Sequence, residues 1–225
     1  MTDEPDQTGG GTDGEPAAWG AFEGFVGGRL GPPDDILDGV LEASAAAGLP
    51  PVNVSANQGS LLALLVRVSG AHRVLELGTL GGYSTVWMAR ALPTGGRLVT
   101  VDADGGHVAV ARANLARAGL QDVVDCRTGP AEELVAQLGA EGGPPFDLVF
   151  VDVDESVNAG LFAPVRRLTR PGGLVIVGAA DLVRGTRRLV AALAAEPDVT
   201  ATAVQSVGAG GLGGLVIARI GDGRG

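Results

Sequence analysis

Two hydrophobic rhythms alternate along the chain from Arg73 onward. Short runs of Val, Leu and Ile, at RVLELG (73–78), RLVTVDA (97–103), VVDCRTG (123–129), FDLVFVD (146–152) and GGLVIVG (172–178), read as buried strands. Between them YSTVWMARAL, HVAVARANLARAG, PAEELVAQLG and NAGLFAPVRRLTR carry apolar residues at helical spacing. Continuous apolar strands separated by such helices predict a parallel sheet covered on both faces, an α/β fold. After a helix around TRRLVAALAAE come two strand patterns, VTATAVQSV and GLVIARI, joined by the glycine-rich GAGGLGG. That pair predicts a hairpin whose second strand runs against the rest of the sheet.

Upstream the pattern is helical. DDILDGVLEASAAAGL has acids in its first turn and Ile36, Leu37, Val40 and Leu41 on one face, and reads as a helix ending near Gly48. Ser55 is placed to cap ANQGSLLALLVRVSG, an apolar helix that stops at Gly70. Trp19, Phe22, Phe25 and Leu30 add a weaker helical stretch, interrupted by Gly24, Gly27 and Gly28. Residues 1–15 are Gly, Asp and Thr with almost no apolar content, and are expected to be a disordered tail. The expected organisation is one domain over 16–221, with N-terminal helices (16–70) preceding the sheet.

Composition narrows the function classes. The formal net charge is −10 and all sixteen basic residues are arginine. An acidic chain is a poor match for nucleic acid or an anionic membrane, and chemistry that needs a lysine amine is excluded. The single Cys126 cannot form an intramolecular disulfide. No long apolar run or secretory pattern is present, so neither a membrane span nor a signal is expected and a cytoplasmic protein is the default.

The chemistry gathers at Arg73–Ser84, RVLELGTLGGYS. A strand, a glycine turn and a helix make a corner in which a ligand can approach the main chain and meet helix N–H groups. Glu76 is expected at the mouth of that corner. The order Gly78-Thr79-Leu80-Gly81-Gly82 lacks the second glycine of the dinucleotide fingerprint. By itself the corner is equally well a plain tight turn. Asp102, closing the second strand, adds a carboxylate suited to ribose hydroxyls and makes a ribose-bearing cofactor the leading reading.

VNVSANQGSLLALL, RVLELGTLGGYSTVWMARALP, GRLVTVDAD, FDLVFVDVD and TATAVQSVG stand in this order over residues 34–220. Together they resemble the class I S-adenosylmethionine-dependent O-methyltransferases of the catechol and caffeoyl-CoA type. The resemblance implies a Rossmann-like methyltransferase fold, seven strands mostly parallel with an antiparallel last strand and helices on both faces. It implies S-adenosyl-L-methionine as cofactor and a hydroxyl of a small, aromatic acceptor as substrate. It implies that Val54 and Glu76 through Thr79, including Gly78, line the methionine end of the cofactor. Ser84 would bond the methionine carboxylate, Asp102 would hold the ribose, Ala131 would lie beside the adenine, and Asp152 near the reactive methyl. A homodimer is the family habit, and the apolar set Trp19, Phe22 and Phe25 puts residues 16–48 in the expected contact.

The chain departs from the family at the metal and the base. Where the family ends the fourth strand in D-A-D-K, this chain has Asp152-Val153-Asp154-Glu155. The first Asp is the family's metal ligand and the lysine its usual base. The Asp-Asn pair after the fifth strand is Gly178-Ala179 here, with Asp181 downstream. A divalent metal (Mg) would keep only Asp152, so the metal site is expected to be degraded. The base would then be a carboxylate among Asp152, Asp154, Glu155 and Asp181, or the acceptor would arrive ionised. His72 and His107 read as solvated or capping residues, Cys126 as core, and Arg166, Arg167 and Arg170 as a solvated helix end. Arg184, Arg187 and Arg188 leave an anionic acceptor open. Two other classes compete: a cofactor-binding protein that has lost catalysis and serves as a partner, and a nicotinamide oxidoreductase. The glycine pattern and the closing hairpin speak against the second.

Overall fold

The computed structural model describes residues 24–27, 29–30, 34–153, 155–179, 187–208 and 211–222. The expected tail, with Trp19 and Phe22, lies outside the described residues. Residues 24–27 and 29–30 are helical, and two longer helices follow, α1 (Asp35–Ala46) and α2 (Ala56–Val68). Asp34 caps α1 by accepting the Ile36 and Leu37 N–H groups at 3.1 Å. Ser55 caps α2 in a reciprocal box: Gln58 N–H donates to Ser55 Oγ at 3.3 Å, and Ser55 N–H to Gln58 Oε1 at 2.9 Å.

The alternation follows as β1 (Arg73–Leu77), α3 (Tyr83–Ala91), β2 (Arg97–Asp102), α4 (Gly105–Arg117), β3 (Val124–Thr128), α5 (Ala131–Glu141), β4 (Phe146–Val151), α6 (Glu155–Leu168), β5 (Thr169–Ala179) and α7 (Arg187–Ala194). β6 (Val199–Gly208) and β7 (Gly211–Ile220) close the chain. The strands form a seven-stranded sheet in the order β3-β2-β1-β4-β5-β7-β6. The first five pair in parallel, and β7 enters antiparallel between β5 and β6. This is the predicted fold, reversed last strand included. Two boundaries differ. β5 begins at Thr169, earlier than the glycine pair suggested, with a register irregularity opposite Phe146–Leu148. The β6–β7 ladder runs on to Gly208 opposite Gly211, because glycine backbone continues a two-strand ladder where side chains gave no signal.

Period two sorts each strand between two cores. Val74, Leu98, Leu148, Phe150 and Ile176 face α1–α4, whereas Leu75, Leu77, Val149, Val151, Val175 and Val177 face α5–α7. Phe150 is fully buried; truncating such a ring to Ala costs roughly 3–5 kcal/mol. The order reverses at β1/β4, where crossovers leave to opposite faces. That reversal opens a crevice at the carboxyl ends of these strands.

Candidate functional site

A cavity of about 910 Å³ fills the crevice. Its floor is the turn between β1 and α3. Gly78 adopts φ +99°, and a Cβ there would run into the Asp152 carbonyl, so only glycine lets β1 and β4 close up at this point. Asp152 N–H donates to the Leu77 carbonyl at 2.7 Å, and Gly78 N–H to that of Val101 at 2.8 Å. Leu80 is left-handed at φ +46° without being glycine, a conformation costing on the order of 1 kcal/mol. Two side chains hold it there. Asp102 Oδ2 accepts the Thr79 and Leu80 N–H groups at 3.0 and 2.8 Å. Buried Asn114 on α4 donates to the Gly81 carbonyl at 2.7 Å. Gly82 caps α3 at φ +85° with no side-chain cap bond, and Tyr83 and Ser84 at the start of α3 line the cavity.

Of the residues marked in the sequence, Val54, Gly78, Thr79, Ser84, Asp102, Ala131 and Asp152 line this cavity. Glu76 does not. Its expected place at the mouth is corrected by strand parity: it shares the Val74 face and is fully buried under α3. There Ser84 Oγ donates to its Oε1 at 2.6 Å, Thr100 Oγ1 to its Oε2 at 2.7 Å, and Thr85 Oγ1 also to Oε2. The Thr79 hydroxyl meets that of Thr100 at 2.6 Å, linking the cavity wall to the buried acid. Burial pushes the Glu76 carboxyl up to about 7; the three hydroxyls oppose this and the negative charge of Asp152 adds to it. Asp152 is also raised, to about 6, by burial alone. Asp154 lies outside the described residues, and α6 begins at Glu155, whose side chain is not described.

Two residues of the wall have contacts that sequence reasoning did not foresee. His107, expected as solvated or capping, turns its ring into the cavity and brings Nδ1 within 3.2 Å of Asp102 Oδ1. The helical start of α4, folding back five residues after Asp102, makes that contact, and the short spacing was its only signal. Gly178 is the other: a Cβ there would strike Asp152 Oδ1. The contact crosses from β4 to β5, so nothing local announces it.

Comparison with known proteins decides the family. The profile of the O-methyltransferase family matches residues 33–198. The chain belongs to the O-methyltransferase family. Among curated members it is similar to a catechol O-methyltransferase of Niastella koreensis, 42% identical over 87% of this chain and 95% of that one. It is 39% identical to a catechol O-methyltransferase of Mycobacterium tuberculosis, over 88% and 94%. Among solved structures, the O-methyltransferase from Bacillus cereus in complex with SAH superposes with a TM-score of 0.87 at 41% identity, covering 91% of this chain and 99% of that one. TomG from Streptomyces achromogenes, an O-methyltransferase in complex with SAM, gives 0.86 at 36% identity, covering 92% and 99%. In this O-methyltransferase the glycine corner, Asp102 and Asp152 therefore share one cavity, at the crevice where open α/β sheets bind ligands.

Proposed function

We propose that the protein is an S-adenosylmethionine-dependent O-methyltransferase that methylates a hydroxyl of a small aromatic acceptor. The observation that carries this reading is the shared cavity of the glycine corner, Asp102 and Asp152. The residues fit the cofactor. Val54, Gly78, Thr79 and Ser84 would hold its amino-acid end, with the start of α3 facing the carboxylate. Asp102 would hold the ribose and Ala131 would lie against the adenine. The cofactor supplies a methyl group on a positively charged sulfur. Glu76 acts beneath the site, fixing the Ser84 hydroxyl.

Asp152 is the base in this reading. Its carboxylate faces the cavity, and with a pKa near 6 it is ionised at neutral pH yet a better proton acceptor than an ordinary carboxylate. It would take the acceptor's hydroxyl proton as the O–CH₃ bond forms and the S–CH₃ bond breaks, the sulfonium leaving as the neutral thioether. Asp154 and Glu155 remain second candidates outside the described side chains.

A divalent metal does not fit the donors described. Asp152 Oδ1 sits where a side chain on residue 178 would begin, and Ala179 has no side-chain oxygen. Among the described residues no three His, Cys, Asp or Glu gather. We therefore propose methyl transfer without a metal. Asp181 lies outside the described residues, and if it supplied the lost ligand the protein would take up Mn²⁺. Calorimetry with S-adenosylhomocysteine tests the cofactor, and methyl transfer to catechol with and without chelator tests the metal. Mn²⁺ uptake followed by electron paramagnetic resonance gives a readout independent of activity. Catalysis abolished by chelator and restored by magnesium would sink the metal-free reading.

A homodimer in the cytoplasm completes the proposal. Among the described residues, Phe25 and Leu30 are 59% and 78% exposed, more than such side chains show in a monomer's core helices. No described helix is long and apolar enough to cross a membrane. A monomer mass by light scattering at micromolar concentration would refute the dimer.

A further inference from the structure

Asp102 is the residue that the cofactor reading assigns to the ribose, yet the protein itself fills its acceptor capacity. An ionised carboxylate offers about four lone-pair sites. Oδ2 accepts from Thr79 N–H at 3.0 Å and Leu80 N–H at 2.8 Å. Oδ1 accepts from Asp104 N–H at 2.9 Å and from His107 Nδ1 at 3.2 Å. A carboxylate only accepts, so Nδ1 carries the proton in this pair. The Asp102 side chain keeps 13% of its exposure, which leaves little room for a further donor beside these four.

The four donors are not equally fixed. Three are main-chain groups. Thr79 and Leu80 belong to the strained turn, and Asp104 is the N-cap of α4, its own Oδ1 accepting the Gly106 N–H at 2.7 Å. None can leave without rebuilding the corner. The fourth is a side chain on two rotatable bonds, in the cavity wall, with 25% of its surface exposed. The geometry points to His107 as a removable stopper on Asp102: the imidazole occupies the acceptor site that a ribose hydroxyl needs, and cofactor binding displaces it. This makes His107 a positioning residue acting through Asp102, and it rests on the reading that Asp102 holds the ribose.

His107 Nε2 also stands 4.0 Å from Asp104 Oδ2, so the ring lies between two carboxylates, Asp102 on β2 and Asp104 at the cap of α4. Glu132 of α5 lines the same cavity.

The experiment is calorimetric titration of the whole protein with S-adenosylhomocysteine, comparing the wild type with His107→Ala, His107→Asn and Asp102→Ala. His107→Ala frees one acceptor site and should bind about 3- to 10-fold more tightly than wild type. Asn places a donor close to the position of Nδ1, so it should keep the stopper and bind more weakly than the Ala variant. The proposal is overturned if His107→Ala binds no more tightly than wild type, or if the Asn variant binds as tightly as the Ala variant. If the Ala variant does not fold, His107→Phe, which fills the ring's volume without a donor, takes its place: tighter binding than wild type supports the stopper, and equal or weaker binding overturns it. Asp102→Ala with unchanged affinity would show instead that the ribose assignment is wrong, and the stopper would fall with it.

Discussion

On the β1–β2 side of the cavity the polar side chains are tied down by the protein. Asp102 has four donors, Thr79 meets Thr100, and Ser84 donates to Glu76. On the β4–β5 side Asp152 faces Gly178, and burial alone sets its acidity. The first wall is organised before any ligand arrives, which suits recognition of one invariant molecule. The second holds a carboxylate that accepts no hydrogen bond from the described residues and has a raised pKa, which suits proton transfer. Four substitutions test the contrast.

The largest effect is expected at the seam of the two walls. Gly78→Ala would put a methyl group into the Asp152 carbonyl at a φ of +99°. Relief requires β1 and β4 to part, so both walls suffer together. Stability should fall by on the order of 3 kcal/mol and S-adenosylhomocysteine binding should be lost. Urea unfolding and calorimetry measure both; a stable variant with normal affinity would mean the seam is more pliable than the contact implies.

Asp152→Asn isolates the second wall. Methyl transfer should drop by roughly 10²- to 10⁴-fold, the usual worth of a positioned base, while S-adenosylhomocysteine still binds. In the wild type the rate should rise as pH passes through about 6 and Asp152 ionises, then level off. Rates of the Asn variant near wild type would move the base elsewhere, with Asp154 and Glu155 the first to try.

Asp102→Ala probes the first wall. Binding should weaken by about 1–3 kcal/mol, roughly 5- to 150-fold, with kcat at saturating cofactor little changed. The main-chain donors of Thr79 and Leu80 also lose their acceptor, so part of the loss reflects a looser turn.

Legibility in the sequence follows the same division. The strands, the glycine corner and Asp102 were readable because each is written in a local run: apolar stretches, clustered glycines, an acid at a strand end. The capping role of Ser55 was equally local. Glu76 was misplaced although parity with Val74 carried the answer; a lone acid in an apolar strand drew attention to chemistry rather than to the face it shares. The part played by His107 and the close approach of Gly178 to Asp152 were not readable. Their meaning lies in contacts with Asp102 and Asp152 that exist only after the chain has turned back or crossed strands. The β6–β7 turn was blurred because seven residues of mostly glycine look alike whether they are ladder or loop.

The smallest effect is expected from Glu76→Gln, and it is one of slope rather than size. Glu76 is fully buried and its carboxyl is raised from 4.5 to about 7, by burial first, against the pull of Ser84, Thr85 and Thr100. A raised folded-state pKa means that the folded protein binds the proton more tightly than the unfolded chain. The stability linked to that proton is fully present below about pH 4.5 and is lost as pH rises through about 7. The upper bound on this loss is on the order of 3 kcal/mol. Glutamine cannot ionise, so the variant should show a flatter dependence of unfolding free energy between those limits. Its amide must also accept from hydroxyls that now face an N–H₂ group, so a modest uniform loss of about 1 kcal/mol is expected as well. Urea unfolding in half-unit pH steps separates the two: the uniform part shifts the whole curve, and the titrating part changes its tilt. A variant curve parallel to wild type across the range would show that Glu76 does not titrate there, and that its three hydroxyl donors outweigh its burial.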